Sequence, residues 1–158
     1  MHITIERFDP TVAKQCAQLT RLMSAYFPEI GAGDMTPYVP KIVKLIADSV
    51  ATPRFWAFLG RTDNEYAGFV IAQIDSSESD WNKREGWGFI RELYVAPAYR
   101  KRAMARQLVA VVEQAMHRSG ALQAYLTTPV PDFWRKLGYS FSGEVYGGNG
   151  YKIGEKIL

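Results

Sequence analysis

Apolar and polar positions change period several times along the chain, and each change marks an element. His2 to Phe8 alternates, with Ile3 and Ile5 on one face, which predicts a first strand. Asp9-Pro10 is a cap followed by a proline and predicts a helix start. Val12, Cys16, Leu19, Leu22, Met23 and Tyr26 then recur at helical spacing until Pro28 stops the run. Thr36-Pro37 repeats the start signal, and Val39, Ile42, Val43, Ile46 and Val50 form a second apolar stripe. Beyond Pro53, Phe55 to Leu59 and Tyr66 to Ile74 read as an antiparallel hairpin around the polar turn Asp63-Asn64-Glu65. Ser76 to Gly86 is a polar loop positioned to border a substrate site, and Trp87 to Val95 is a further strand. A helix is predicted from about Arg102 to His117, with Met104, Leu108, Val111, Val112 and Ala115 inward and Gly120 as its stop. Ala121 to Thr127 reads as a strand, Phe133 to Leu137 as a short helix, and Tyr139–Tyr146 with Tyr151–Ile157 as a closing hairpin. The order β-α-α-β-β-β-α-β-α-β-β predicts an α/β fold, a mixed sheet with helices on both faces, in a single domain over 1–158.

Composition narrows the class. The 158 residues are 47% apolar and 22% charged, as in a soluble globular protein. A single cysteine, Cys16, excludes an internal disulfide framework and a Cys-based metal cage; its place on an apolar stripe reads as core packing. His2 and His117 have no ligand spacing around them, so no metal is expected. The N-terminal residues lack the apolar centre of a signal peptide, and no run of roughly 18 or more apolar residues occurs, so a cytoplasmic protein is expected. The net charge of +3 is compatible with nucleic acid, an acidic surface or a phosphorylated small molecule.

The position of the charge separates these. Arg100, Lys101, Arg102 and Arg106 cluster between an apolar strand and a periodic helix, and no carboxylate occurs from Leu93 through Val112. A helix N-terminus presents unpaired N–H groups and partial positive charge, and cations there are unfavourable without an anion. The segment therefore reads as a phosphate or pyrophosphate cradle. The glycine spacing of a P-loop and the glycine triplet of a dinucleotide-binding loop are both absent. Cations confined to one turn, without an extended face of interleaved aromatics, disfavour nucleic acid.

Leu93-Tyr94-Val95-Ala96-Pro97-Ala98-Tyr99-Arg100-Lys101-Arg102-Ala103-Met104-Ala105, followed by Phe133-Trp134-Arg135-Lys136-Leu137-Gly138-Tyr139, resembles the paired signatures of the GNAT superfamily of acyl-CoA N-acyltransferases. The resemblance covers nearly the whole chain. It implies two central strands that splay apart, with acetyl-CoA in the cleft as acyl donor. Backbone groups of Leu93, Tyr94 and Val95 would then pair with the pantetheine arm. The loop Arg100, Lys101, Arg102, Ala103, Met104 and Ala105 would bind the pyrophosphate. Thr127 would contact the cofactor arm, and Phe133 and Trp134 would flank its far side. The family's central loop glycine is here Ala103, whose methyl is expected to weaken cofactor binding. The tyrosine that usually protonates the departing thiolate is here Trp134, whose indole cannot act as an acid near neutrality. Water, Tyr139 or Tyr99 would take that task.

The function implied is transfer of an acetyl group from acetyl-CoA to a primary amine of a small molecule or peptide by direct attack. The alternative is a non-catalytic acyl-CoA-binding or regulatory domain. Glu92 is the general-base candidate, since it lies on the strand expected to carry the thioester; an ion pair with Arg91 or Lys136 is the competing reading. Glu85 and Asp132 are secondary candidates. Alternation puts Glu92 and Tyr94 on one face of the strand and Leu93 and Val95 on the other. Trp81, Trp87, Phe89 and Tyr94 read first as core, with an acceptor pocket as the alternative. The expected partners are acetyl-CoA and an amine that the sequence does not identify. A homodimer is left open, and no membrane is involved.

Overall fold

The structure, a computed structural model, describes residues 2–63, 65–101 and 103–158. Seven strands form one sheet in the order β1-β2-β3-β4-β5-β7-β6: β1 (Thr4–Arg7), β2 (Phe55–Arg61), β3 (Tyr66–Ile74), β4 (Gly88–Val95), β5 (Gln123–Thr128), β6 (Ser140–Val145) and β7 (Lys152–Ile157). Among the described residues four α-helices complete the fold, α1 (Ala13–Glu29), α2 (Val39–Val50), α3 (Met104–Arg118) and α4 (Pro131–Arg135), with a short 3-10 turn over Pro97–Tyr99. The element order is the one the periodicity predicts, and the mixed α/β architecture follows from it.

Alternation along the central strands divides the core into two layers. Trp56, Phe58, Val70 and Ala72 point to one face and pack with Leu108, Val112 and Met116 of α3. Ala57, Leu59, Phe69 and Ile71 point to the other and pack with Leu19, Leu22 and Met23 of α1 and Val43 and Ile46 of α2. β3 is buried along its entire length, with the α3 layer on one face and the α1/α2 layer on the other.

Several boundaries differ from the sequence reading. Asp9 does not cap α1. Its carboxylate accepts the Thr11 backbone N–H at 2.9 Å and the Thr11 hydroxyl at 2.6 Å, closing a local turn, and the helix begins at Ala13. Pro28 sits inside the last turn, and α1 ends one residue later at Glu29. α3 begins at Met104 rather than near position 102, because Ala103 takes a left-handed conformation with φ 70°. Among the described residues no helix is long and apolar enough to cross a membrane, and no group of three or more His, Cys, Asp or Glu is placed to hold a metal ion.

Two features of β4 position the site. β4 pairs with β5 in parallel only at Gly88↔Ala124 and Phe89↔Tyr125, after which the two strands diverge. From Ile90 onward, the edge of β4 facing β5 therefore carries backbone groups with no ladder partner on that side. On its other edge, Ile71 of β3 pairs with Glu92 while Ala72 pairs with Ile90, so Arg91 is an extra residue and β4 bulges there.

Candidate functional site

The divergence of β4 and β5 opens a cavity of about 800 Å³ at the carboxyl end of β4. One wall is Leu93, Tyr94 and Val95; the mouth is formed by Tyr99, Arg100, Lys101 and the first turn of α3; Val130, Phe133 and Leu137 close the far side. Of the residues the sequence singles out, the structure brings Leu93, Tyr94, Val95, Arg100, Lys101, Ala103, Met104, Ala105 and Phe133 together here. Arg102 lies outside the described residues. Thr127 pairs with Ile153 inside the sheet and does not line the cavity. Trp134 is also absent from the lining: it is buried in the α3-side core, edge-on to both Phe133 and Tyr139.

The start of α3 suits an anion. Ala103, its N-cap, has no side-chain acceptor to offer, and no acidic residue occupies the first turn. The leading N–H groups of the helix are thus left for a ligand, with Lys101, Arg106 and Lys136 around them. Lys101 and Ala103 both have positive φ, 63° and 70°, conformations that glycine adopts without penalty. Arg100 departs from the phosphate-cradle reading. Its guanidinium folds back, Nε donating to the Val95 carbonyl at 2.8 Å and Nη2 pairing with Glu29, so it braces the cavity wall.

Ala103 carries a prediction. A non-glycine residue in the left-handed region costs about 1–2 kcal/mol, and glycine's greater freedom when unfolded returns about 0.5–1 kcal/mol of that. Ala103→Gly is expected to raise Tm by roughly 1–3 °C and to lower the Kd for CoA about threefold, measured by thermal melting and titration calorimetry. An unchanged Kd removes the methyl as an obstacle.

A second cavity, of about 610 Å³, opens on the α1/α2 side of β4. Phe27, Ile42, Leu45, Ile46 and Phe55 give it apolar walls; Glu78, Asp80, Arg54 and Arg91 are its charged lining, and Glu92 belongs to it as well. Arg91 and Glu92, consecutive in sequence, both face this cavity because the bulge interrupts alternation between them. Downstream alternation resumes as predicted, with Tyr94 in the α1/α2 core and Leu93 and Val95 against the α3 core.

Glu92 does not form the ion pair considered for it. Arg91 donates instead to Asp80 (2.7 Å) and to Gln73 Oε1 (2.7 Å), and Lys136 lines the other cavity. The partner of Glu92 is the Tyr26 hydroxyl, which donates to Oε2. Burial pushes the Glu92 pKa up, opposed by the Tyr26 hydrogen bond and the Arg91 charge. Tyr26, a residue the sequence reading left in the helical core stripe, lines the cavity at the carboxyl end of β4. A buried tyrosine needs a partner for its hydroxyl, the one signal in the sequence that pointed beyond packing.

The remaining candidates lie elsewhere. Tyr139 is buried on the α3 side, its hydroxyl donating to Glu113 at 2.8 Å, and it lines neither cavity. Asp132 pairs with Arg135 on the surface, and Glu85 is exposed; neither lines a cavity. Trp81, Phe89 and Tyr125 stack in series, at 5.2 and 4.7 Å between ring centroids, and fasten the 76–86 loop to the sheet.

Comparison with known proteins agrees with this architecture. No curated protein matches the chain by sequence. Similar solved structures include an aminoglycoside 6'-N-acetyltransferase complexed with coenzyme A, at TM-score 0.76 and 20% identity over 98% of this chain and 96% of that one. The aminoglycoside 6'-N-acetyltransferase from Enterococcus faecium matches at TM-score 0.74 and 20% identity, over 98% and 96%. The PaiA N-acetyltransferase from Thermoplasma acidophilum, in complex with coenzyme A, matches at TM-score 0.72 and 15% identity over 100% of both chains. These likenesses are of fold. The profile of the acetyltransferase (GNAT) family matches residues 17–139, most of the sequence, and the chain therefore belongs to that family.

Proposed function

We propose that the protein is a cytoplasmic enzyme that transfers an acetyl group from acetyl-CoA to a primary amine carried on an apolar body, by direct attack of the amine. Acetyl-CoA supplies a thioester carbon open to attack by a neutral nitrogen. The observation that carries the reading is the position of Glu92, which lines the apolar cavity and is hydrogen bonded to a residue of the other. An amine held in that apolar second cavity thus meets a carboxylate next to the place where the thioester would lie.

Each residue has a task in this scheme. The N–H groups at the start of α3, with Lys101, Arg106 and Lys136 nearby, hold the pyrophosphate. The unpaired edge of β4 at Leu93–Val95 takes the pantetheine arm as an added strand. Glu92 removes a proton from the amine; its raised pKa brings it nearer the working pH and makes it a stronger base than an exposed glutamate.

The acceptor class follows from the walls. Phe27, Ile42, Ile46 and Phe55 favour an alkyl or aryl body. The charged lining nearly balances, Arg54 and Arg91 against Glu78, Asp80 and Glu92 with Arg91 paired to Asp80, so the further ammonium groups of a polyamine or aminoglycoside would be desolvated against apolar surface without a carboxylate for each. Release of CoA thiol from acetyl-CoA, measured over a panel of amines, tests this. The expected kcat/KM for arylalkylamines and for peptides with an apolar N-terminal residue is at least tenfold above that for spermidine or kanamycin. The reverse order contradicts the assignment. The withdrawal of Trp134 into the core favours a second reading, an acyl-CoA-binding domain without turnover. Tight CoA binding with no thiol release across the panel supports that reading instead.

A further inference from the structure

Direct transfer leaves a thiolate that needs a proton, and of the residues considered for that task from the sequence Tyr99 alone reaches the cofactor cavity, at its mouth and with its hydroxyl turned to Glu65. Trp134 has no acidic proton and is packed in the core. Tyr139 is tied to Glu113 away from both cavities, and the Tyr99 hydroxyl donates to Glu65 at the rim. Two tyrosines remain in the wall of the CoA-side cavity, Tyr26 and Tyr94. Only Tyr26 is hydrogen bonded to the base.

We propose that Tyr26 is the general acid and that Glu92 and Tyr26 form a two-proton relay from the attacking amine to the departing sulfur. The inference rests on the acetyltransferase reading above and deepens it. Its geometric basis is that Tyr26 lines the cofactor cavity, Glu92 lines the acceptor cavity, and one hydrogen bond joins them across β4 and α1. The ring of Tyr26 is held edge-on against Phe69 (5.5 Å between centroids, 84°) and beside Tyr94 (5.7 Å) and Phe27 (5.4 Å), which fixes its phenolic oxygen, while the O–H bond stays free to turn from Glu92 to the sulfur once Glu92 is protonated.

The protons balance. The amine enters the step neutral, its ammonium proton having passed to solvent. As the nitrogen bonds to the acetyl carbon, Glu92 takes the proton the nitrogen must lose. As the C–S bond breaks and its electron pair goes to sulfur, Tyr26 gives its hydroxyl proton to that sulfur. Glu92 then returns its proton to the Tyr26 oxygen. The products are the amide and CoA thiol, and both side chains regain their starting state.

The electrostatics time the transfer. Burial and the Glu92 carboxylate, with a contribution from Tyr151, hold the Tyr26 hydroxyl well above the ordinary phenol pKa, so it keeps its proton at rest. Once Glu92 has taken the amine proton, its negative charge is gone and it can donate to the Tyr26 oxygen. The influence that held the proton on Tyr26 reverses as the thiolate forms. Arg91 is the cation that acts on Glu92, and the nearby Glu29 is paired with Arg100.

The test is a proton inventory on single-turnover acetyl transfer in mixtures of H₂O and D₂O. For the wild type a downward-bowed plot is expected, since two exchangeable protons move. For Tyr26→Phe a straight plot is expected, with kcat lower by about 10²-fold and the KM for acetyl-CoA within twofold. A tyrosine that served only packing would move KM and Tm and leave the curvature. A straight plot for the wild type overturns the relay, and this holds even if Tyr26→Phe fails to fold. A bow lost in Tyr94→Phe but kept in Tyr26→Phe also overturns it. No transfer by the wild type to any amine overturns the acetyltransferase reading itself, which distinguishes the two failures.

Discussion

Glu92→Gln is expected to lower kcat by about 10²–10³-fold while leaving the KM for acetyl-CoA nearly unchanged. The substitution keeps the shape of the side chain and an oxygen that accepts from Tyr26, and removes only the capacity to take a proton. The pH dependence follows from the direction of the shift. Glu92 acts when ionised, and burial raises its pKa, so wild-type kcat/KM climbs with pH through an inflection above the usual carboxylate range. That limb is absent in Glu92→Gln. Stability moves the opposite way. A carboxyl with a folded pKa above its unfolded one contributes stability below the unfolded pKa, and this is lost as pH rises through the folded pKa. At pH 7–8 the variant therefore melts no lower than the wild type. An enzyme that loses its rate and keeps or gains Tm has lost a catalytic group, whereas a structural carboxylate would lose both. Initial rates and melts from pH 5 to 9 separate the cases.

Asp75→Ala is expected to have the largest effect on folding. Asp75 is fully buried, yet it stands at the entrance to a polar loop. Its carboxylate accepts the backbone N–H of Lys83 (3.0 Å) and of Arg84 (3.1 Å), the Gln73 amide (2.9 Å) and the Tyr125 hydroxyl. Its own backbone closes the neck of the loop, with Trp87 O accepting at 2.9 Å and Gly86 N donating at 2.8 Å. Removing the carboxylate strands four donors, at a cost of roughly 3–5 kcal/mol. The expected fall in Tm is on the order of 10 °C. Ser76, Glu78, Ser79 and Asp80 of the same loop line the cavity on the α1/α2 side of β4, the proposed acceptor site. The KM for the amine should rise with that loss, while affinity for CoA, bound across β4, should hold. Melting curves and paired KM determinations check both parts; a fall in CoA affinity equal to that for the amine would contradict the separation of the two cavities.

These two residues also mark where sequence reading stops. The element order was legible because proline, glycine and changes of period punctuate the chain; the cation cluster was legible only in part, since Lys101 and Arg106 line the cavity at the start of α3 while Arg100 turns back to Val95 and Glu29. The boundaries of α1 were not, since Asp9 has two local hydrogen-bonding options and the turn with Thr11 won. Asp75 stands in sequence between an apolar strand and a polar loop, and its burial depends on Tyr125 and Gln73, which reach it only once β3 and β5 are in the same sheet. The face of Glu92 depends on the bulge at Arg91, a cross-strand register that no local pattern encodes. Tyr26 and Glu92 are 66 positions apart, and nothing near either announces the other. The proposed site is thus half local and half tertiary: the proposed anion cradle rests on consecutive residues, the proposed proton relay on packing.

The central claim is that two cavities on either side of β4 meet at the Glu92–Tyr26 pair. A crystal structure with acetyl-CoA bound tests it most directly. The pyrophosphate is expected on the N–H groups that open α3, with the pantetheine arm along Leu93–Val95. The sulfur should lie beside the Tyr26 hydroxyl, and the acetyl carbon should be open to the cavity that holds Glu92. A thioester lying away from that pair, with CoA otherwise well ordered, contradicts the claim.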